Sequence, residues 1–317
     1  MKILVTGTAG FIGNAVAAML LQRGDTVIGL DNMNDYYSVE LKRARLQRIN
    51  HQFHEIDICD KSKLFEIFKN NKIDAVVHLA AQAGVRYSLE NPQVYVDSNI
   101  TGTLNILEAC RHYPVRHLVY ASSSSVYGDN AKIPFSVEDV ADNPVSLYAA
   151  TKKSNELMAH TYAHLFGISC TGLRFFTVYG PWGRPDMAPM LFAKSILAGK
   201  PIKVFNHGNM RRDFTYIDDI VEGVVRTLDR GVSKGQAGAE LFNIGRGEPV
   251  ELLRFIEILE ENFGAKAIKE MLPMQAGDVP ATWADTTALE KAVGYRPKTS
   301  LEEGVRAFAR WYLEQFE

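Results

Sequence analysis

The stretch KILVTGTAGFIGNAVAAMLLQRGDTVIGLD, residues 2–31, is read first because it decides the fold. Lys2–Thr6 reads as a short apolar strand, Phe11–Arg23 as a helix and Thr26–Asp31 as a second strand. Between the first strand and the helix lies TGTAGFIG, with Gly7, Gly10 and Gly13 three residues apart. Glycine lets the backbone turn tightly and come close to a pyrophosphate. The helix that opens at Phe11 and Ile12 offers free N–H groups and a positive dipole end. The spacing differs from G-x-G-x-x-G, so the glycines alone also fit a plain strand-to-helix turn. Asp31 adds a second mark, because it closes the next strand where an acid receives ribose hydroxyls. Asn32 follows it, and no Lys or Arg comes before Lys42, which favours NAD over NADP.

Outward from this unit, strands and helices alternate. Strands are expected at Phe53–Ile58, Ala75–Ala80, His117–Ser122 and Ser169–Phe175. Helices are expected at Ser38–Arg48, Lys61–Lys69, Pro92–His112 and Ser146–Phe166. The alternation implies right-handed crossovers and a parallel sheet covered on both faces. The reading is an α/β chain with a Rossmann-type doubly wound parallel sheet and a smaller, interleaved C-terminal α/β region that binds substrate. Residues 1–175 would form the dinucleotide domain, with returns near 213–246. Residues 176–212 and 247–317 would form the substrate region. Val178–Pro189, with three prolines and two glycines, reads as a shaped loop. Asp57-Ile58 would meet the adenine edge, and the small residues of Leu79-Ala80-Ala81 would let a cofactor lie close.

Composition narrows the classes. The 317 residues are 46% hydrophobic and 23% charged, with net charge -2 and the cations dispersed, so no nucleic-acid partner is expected. Cys59, Cys110 and Cys170 have no CxxC spacing and read as buried thiols of a reducing compartment, hence a cytoplasmic protein. No leader and no apolar run of membrane-helix length is read, so no membrane role is expected.

Tyr148 and Lys152 stand four apart in an expected helix and share a face. An ammonium beside a phenol favours the phenolate, which makes Tyr148 a candidate base and acid. About 25 residues upstream, a strand ends in Ser122-Ser123-Ser124-Ser125 and then Val126-Tyr127-Gly128. Active sites of open parallel sheets form at the carboxyl ends of strands, so these hydroxyls and Tyr148 should converge.

Taken in order, TGTAGFIG, the acid of the second strand, SSSSVYG and YAATK resemble the extended short-chain dehydrogenase/reductases. The likeness continues in LRFFTVYGP (residues 173–181), RRDFTYIDD (211–219) and FNIG (242–245). It implies NAD bound by Gly7, Gly10, Phe11, Ile12, Gly13, Asp31, Asn32, Asp57, Ile58, Leu79, Ala80 and Ala81, with Asn99, Ser122, Tyr148 and Lys152 at the nicotinamide end. In such enzymes Tyr148 would take a sugar hydroxyl proton, Ser123 would bond the same oxygen, Lys152 would hold the ribose, and Tyr127 would lie near the sugar. Homodimers through the two long helices are common in the family.

Finer resemblance is to the UDP-glucuronate 4-epimerases, in residues 31–46, 83–92, 175–188 and 282–290. It implies oxidation at carbon four, rotation of a 4-keto sugar and reduction on its other face. Related dehydratases and decarboxylases carry an acid just before Val-Tyr-Gly, whereas this chain has Ser125. Neither Ser124 nor Ser125 readily supplies a second proton, which argues for epimerisation alone. A uronate calls for a neutral-to-positive pocket, for which Ser124, Ser125, Thr177 and Arg184 are candidates and Arg86 another. A loop-fixing pair of Arg184 with Asp186 is the competing reading. The UDP end is assigned by resemblance to Val204, Phe205, Arg212 and Asp278. A UDP-glucose or UDP-N-acetylglucosamine 4-epimerase is the alternative activity.

Overall fold

Successive residues of Lys2–Thr6 (β1) point to opposite faces of a sheet and are buried on both. Ile3 and Val5 join one apolar cluster, Leu4 the other. This two-sided burial is what the near-continuous apolar run of a parallel strand provides for. The computed structural model describes every residue except Ala131, Ala276 and Glu317.

The main sheet has seven parallel strands. After β1 come Thr26–Asp31 (β2), Gln52–Glu55 (β3), Ala75–His78 (β4), His117–Ser123 (β5), Ser169–Phe175 (β6) and Gly238–Ile244 (β7). Their spatial order is β7-β6-β5-β4-β1-β2-β3, and every neighbouring pair is parallel. The order reverses between β1 and β4, and a crevice for a ligand opens above their carboxyl ends. Phe11–Gln22 (α1) lies on one face, together with Ile217–Lys234 of the later chain. Lys61–Asn70 (α2), Gly102–His112 (α3) and Leu147–Phe166 (α4) cover the other.

Three of these elements differ from expectation by more than a residue. The strand at β4 stops at His78, because the amides of Leu79 and Ala80 turn to the Thr6 hydroxyl (3.2 and 3.1 Å). The third strand ends at Glu55, ahead of Ile58, as Asp57 starts a turn closed by Asp60 N–H. The helix expected over Pro92–His112 contains a π-helical stretch, Val96–Thr101, before α3. There the Asn99 carbonyl accepts the side chain of Asn155 from α4 at 2.6 Å, a partner that lies 56 residues away.

Beyond Phe176 a second layer forms its own core. Thr177–Tyr179 pairs in parallel with Phe214–Tyr216, and Pro201–Val204 with Ile268–Met271. The Phe214 and Phe255 rings stack with centroids 4.2 Å apart, amid Phe192, Ile202, Val305 and Phe308. The buried Asp213 carboxylate knots this layer together. It accepts the amides of Arg246, Gly247 and Ala284 at 2.9, 3.0 and 3.1 Å. Among the described residues no helix is long and apolar enough to cross a membrane.

Candidate active site

The glycine turn is built for close approach. Gly7 has φ +78°, and a Cβ there would stand 2.9 Å from Ala80 N. A Cβ on Gly13 would stand 2.1 Å from the Gly7 carbonyl oxygen. Helix α1 therefore begins flush against β1, and its N-cap residue, Gly10, has no side chain to occupy the first-turn amides. Those amides, from Phe11, Ile12 and Gly13, open on a cleft that also reaches Asp31, Asn32, Asp57, Ile58, Leu79, Ala80 and Ala81. This cradle has the shape and donors for a pyrophosphate.

At the far end, Asp31 accepts the amides of Ala9 (3.2 Å) and Met33 (3.0 Å). Burial pushes its carboxyl upward, while those bonds and the cations of Lys42 and Arg45 pull the other way. Lys42 was distant in sequence but lines the same cleft, held by the Asn34 carbonyl (2.6 Å) and side-chain oxygen (2.8 Å). Asp57 is also burdened by burial. Its bonds from Asn32 (2.8 Å) and Cys59 N–H (2.8 Å) outweigh that and hold its carboxyl below the usual range.

Two of the residues expected to touch a cofactor face elsewhere. Asn99 is fully buried and lies outside the cleft wall. Its side chain instead grips the backbone of Gln82, accepting from N–H at 2.8 Å and donating to C=O at 2.9 Å, and donates to Thr151 at 3.0 Å. It acts through Gln82, a cleft residue that no sequence motif marked. Ser122 reaches the cleft wall, but its hydroxyl donates to Glu156 at 2.6 Å, away from any ligand.

Tyr148 and Lys152 project from α4 into this cleft, beside Ser123 at the end of β5. Ser146 caps the helix by accepting Ala149 N–H, which fixes where the first turn starts. Lys152 is 4% exposed, donates to the Ala121 carbonyl at 2.9 Å, and is depressed by burial to about 8. The sequence reading has Lys152 lowering the phenol. In the structure burial dominates and raises Tyr148 above its ordinary value, and the pull downward comes from a Ser123 hydrogen bond and the Arg184 charge.

A second cleft continues from the first. Tyr36, Gly84, Ser124, Ser125, Thr177 and Met187 border both. Deeper in it stand Arg86, Phe205, Arg212 and Asp278. Arg86 and Arg212 flank the Asp278 carboxylate at 3.6 and 4.0 Å, and Arg86 lies over the Phe205 ring at 5.1 Å. Val204 does not take part, being fully buried with its carbonyl bonded by Leu272 N–H (2.9 Å). Tyr127, expected near the sugar, is also buried. Its ring stacks on Phe135 at 4.6 Å and its hydroxyl donates to Asn243 at 2.6 Å.

Arg184 meets both of its readings. It lines the first cleft, and it forms a two-point pair with Asp186 (3.0 and 2.5 Å). Asp186 also accepts the Tyr36 hydroxyl at 3.0 Å, tying the loop after β2 to the loop that carries Arg184.

A dinucleotide-shaped cleft that ends on a buried lysine and a tyrosine brings hydride carriage and proton transfer to one point, as in the short-chain dehydrogenase/reductases. The chain belongs to the NAD dependent epimerase/dehydratase family, whose model matches residues 3–245. It is 52% identical to UDP-glucuronate 4-epimerase 4 of Arabidopsis thaliana over 332 residues, all of this chain and 76% of that one. It is 48% identical to a probable UDP-glucuronate 4-epimerase of Rhizobium meliloti, covering 100% of this chain and 98% of that one. The crystal structure of Bacillus cereus UDP-glucuronic acid 4-epimerase with UDP-glucuronic acid and NAD is 39% identical, matches all of both chains and has a TM-score of 0.91. A UDP-glucose 4-epimerase of Thermotoga maritima, solved with UDP-glucose, has the same TM-score at 32% identity, with all of both chains covered. The backbone is thus common to enzymes of both sugars, and the choice of sugar rests on side chains.

Proposed function

We propose that this protein is an NAD-dependent UDP-glucuronate 4-epimerase, interconverting UDP-glucuronate and UDP-galacturonate. The observation that carries the reading is the hydroxyl cluster Ser124, Ser125 and Thr177 at the junction of the two clefts, next to Tyr148 and with no acid in the serine run. The high identity to enzymes of that name supports the same sugar.

Residues 1–175, with β7 and Ile217–Lys234, hold the cofactor, and the second layer holds the UDP-sugar. Bound NAD supplies a reversible acceptor for the carbon-four hydride. The Phe11, Ile12 and Gly13 amides receive its pyrophosphate, and Asp31 receives ribose hydroxyls. Tyr148 removes the proton of the carbon-four hydroxyl and later returns it, while Ser123 holds that oxygen. Lys152 keeps a positive charge beside the ribose and the phenol. Arg86 and Arg212 bind the diphosphate by displacing their contacts to Asp278. Ser124, Ser125 and Thr177 hold the uronate carboxylate, and Arg184 adds charge from its paired position. A 4-keto uronate is a β-keto acid. Fixing its carboxylate out of line with the carbonyl π system protects it from losing carbon dioxide.

The three cysteines are free thiols, which supports a cytoplasmic setting. Leu157, Leu165 and Phe166 of α4 and Leu104 of α3 are exposed, which supports a homodimer joined through these helices.

The test is incubation of purified protein with UDP-glucuronate and no added NAD, with products identified by NMR. UDP-galacturonate without pentose and without net NADH is the expected result. A UDP-pentose as main product would refute it, and inertness toward UDP-glucuronate alongside turnover of UDP-glucose would transfer the reading to neutral hexoses.

A further inference from the structure

Further along the catalytic face of α4 lies a charged pair that the chemistry above does not use. Glu156 sits one helical turn beyond Lys152 and two beyond Tyr148. Its Oε1 accepts Arg174 Nε and its Oε2 accepts Arg174 Nη2, both at 2.8 Å. The Ser122 hydroxyl donates to the same Oε1 at 2.6 Å. All three residues are at most 4% exposed, and Ser122 and Arg174 are register partners on β5 and β6. The helix is thus fastened to the end of β5 at two consecutive residues. Lys152 binds the Ala121 carbonyl, and Glu156 binds Ser122. The next residue is Ser123.

A buried ion pair is a poor way to gain stability, since well-packed apolar residues of like volume often do as well or better. What it does supply is direction. A carboxylate held at both oxygens by one guanidinium presents Oε1 to Ser122 in one orientation only. Arg174 is oriented in turn over the Tyr127 ring at 4.8 Å.

We propose that Glu156, aimed by Arg174 and bonded by Ser122, is a positioning residue that sets the register of α4 on β5 and so the placement of Tyr148 beside Ser123. The proposal rests on the reading of Tyr148 as the base. The groups that act on the Tyr148 phenol are Ser123 from β5 and Arg184 from the loop after Thr177–Tyr179, with the Tyr95 ring edge-on at 6.1 Å and Lys152 one turn further along its own helix. Of these Ser123, next to Ser122 on β5, is the one whose placement against α4 depends most directly on the Ser122–Glu156 contact. Loosening that contact lets Tyr148 and Ser123 draw apart and weakens the Ser123 pull on the phenolate, so the phenol should titrate higher.

The test uses full-length protein carrying its cofactor, labelled with 13Cζ-tyrosine, with the Tyr148 resonance assigned by loss in Tyr148→Phe. Ser122→Ala keeps the Glu156–Arg174 pair and removes one hydroxyl. Its Tyr148 titration should move up by about half a unit or more, and kcat should fall about tenfold with KM nearly unchanged. Ser122→Thr, which restores a hydroxyl, should recover both. Glu156→Leu with Arg174→Met replaces the pair by apolar volume and should show the same upward titration in a folded protein. A Tyr148 titration unmoved in Ser122→Ala, or in the double variant, overturns the proposal. Because that titration is read without turnover, failure of the sugar assignment shows separately, as a wild type inert to UDP-glucuronate.

Discussion

Lys152→Met should make the protein more stable while it abolishes catalysis. Burial holds the Lys152 ammonium at about 8, against 10.5 for the free side chain. At 1.36 kcal/mol per unit, keeping that charge inside at neutral pH costs about 3 kcal/mol. Methionine fills nearly the same volume without charge. It forfeits the bond to the Ala121 carbonyl, and leaving that acceptor unpaired costs about 1–2 kcal/mol. The cofactor-free variant should therefore be more stable by about 1–2 kcal/mol at pH 7. The sign follows from the depressed value. The unfolded chain binds the proton up to 10.5 and the folded one only up to about 8, so the wild type gains stability from this group as pH rises through that window. Below about 8 the cost is full, above 10.5 it is gone, and the variant lacks this dependence. Urea unfolding of both proteins at pH 7 and pH 9.5 measures the gap, which should narrow at the higher pH. Turnover should drop about 10²–10⁴-fold. A variant less stable than wild type at pH 7, or a gap that does not change with pH, would refute the reasoning.

Two further substitutions address the cofactor cradle. Asp31→Asn keeps the shape but replaces an acceptor-only group by an amide, and should weaken NAD by about 2 kcal/mol, or about 30-fold in Kd, while narrowing the preference over NADP. Fluorescence titration with each cofactor measures it, and unchanged constants would remove Asp31 from the ribose site. Gly13→Ala drives a methyl to 2.1 Å from the Gly7 carbonyl and must open the turn. NAD binding by calorimetry should be lost while far-ultraviolet circular dichroism stays native-like, and a wild-type Kd would show that the turn is not the pyrophosphate seat.

Local geometry made part of this molecule legible in its sequence. The glycine turn, Asp31 at the end of β2, the Tyr148–Lys152 spacing and the serine-terminated β5 each depend on residues a few positions apart, or on the fixed rhythm of strand and helix. What the sequence concealed depends on partners far along the chain. The π-helical stretch at Val96–Thr101 meets Asn155, and β4 ends early because Thr6 captures two amides. Lys42, on the helix Val39–Gln47, reaches the Asp31 end of the cleft where Asn34 holds its ammonium. A hydroxyl or an asparagine in a motif carries no label for which way it points, and so Ser122, Asn99 and Tyr127 were assigned to ligands although their polar atoms serve Glu156, Gln82 and Asn243. Val204 lies on the buried side of the strand Pro201–Val204, which a resemblance in sequence does not reveal.

The upward displacement of Tyr148 suits a reaction that must run both ways. A simple lowering of the phenol would enlarge the phenolate fraction at neutral pH, yet it would also widen the gap to a sugar hydroxyl, whose proton is held far more tightly. Burial narrows that gap. Proton transfer then lies nearer to balance, and a group that lends its site to a proton for the lifetime of a 4-keto sugar returns it as readily as it takes it. The cost is a smaller phenolate fraction, which the Ser123 hydrogen bond and the Arg184 charge limit by opposing the effect of burial. Asp186 then has a part in tuning, since its carboxylate pairs with that guanidinium and offsets part of its charge. A free Arg184 would pull the phenol lower, and a missing one would leave the effect of burial less opposed.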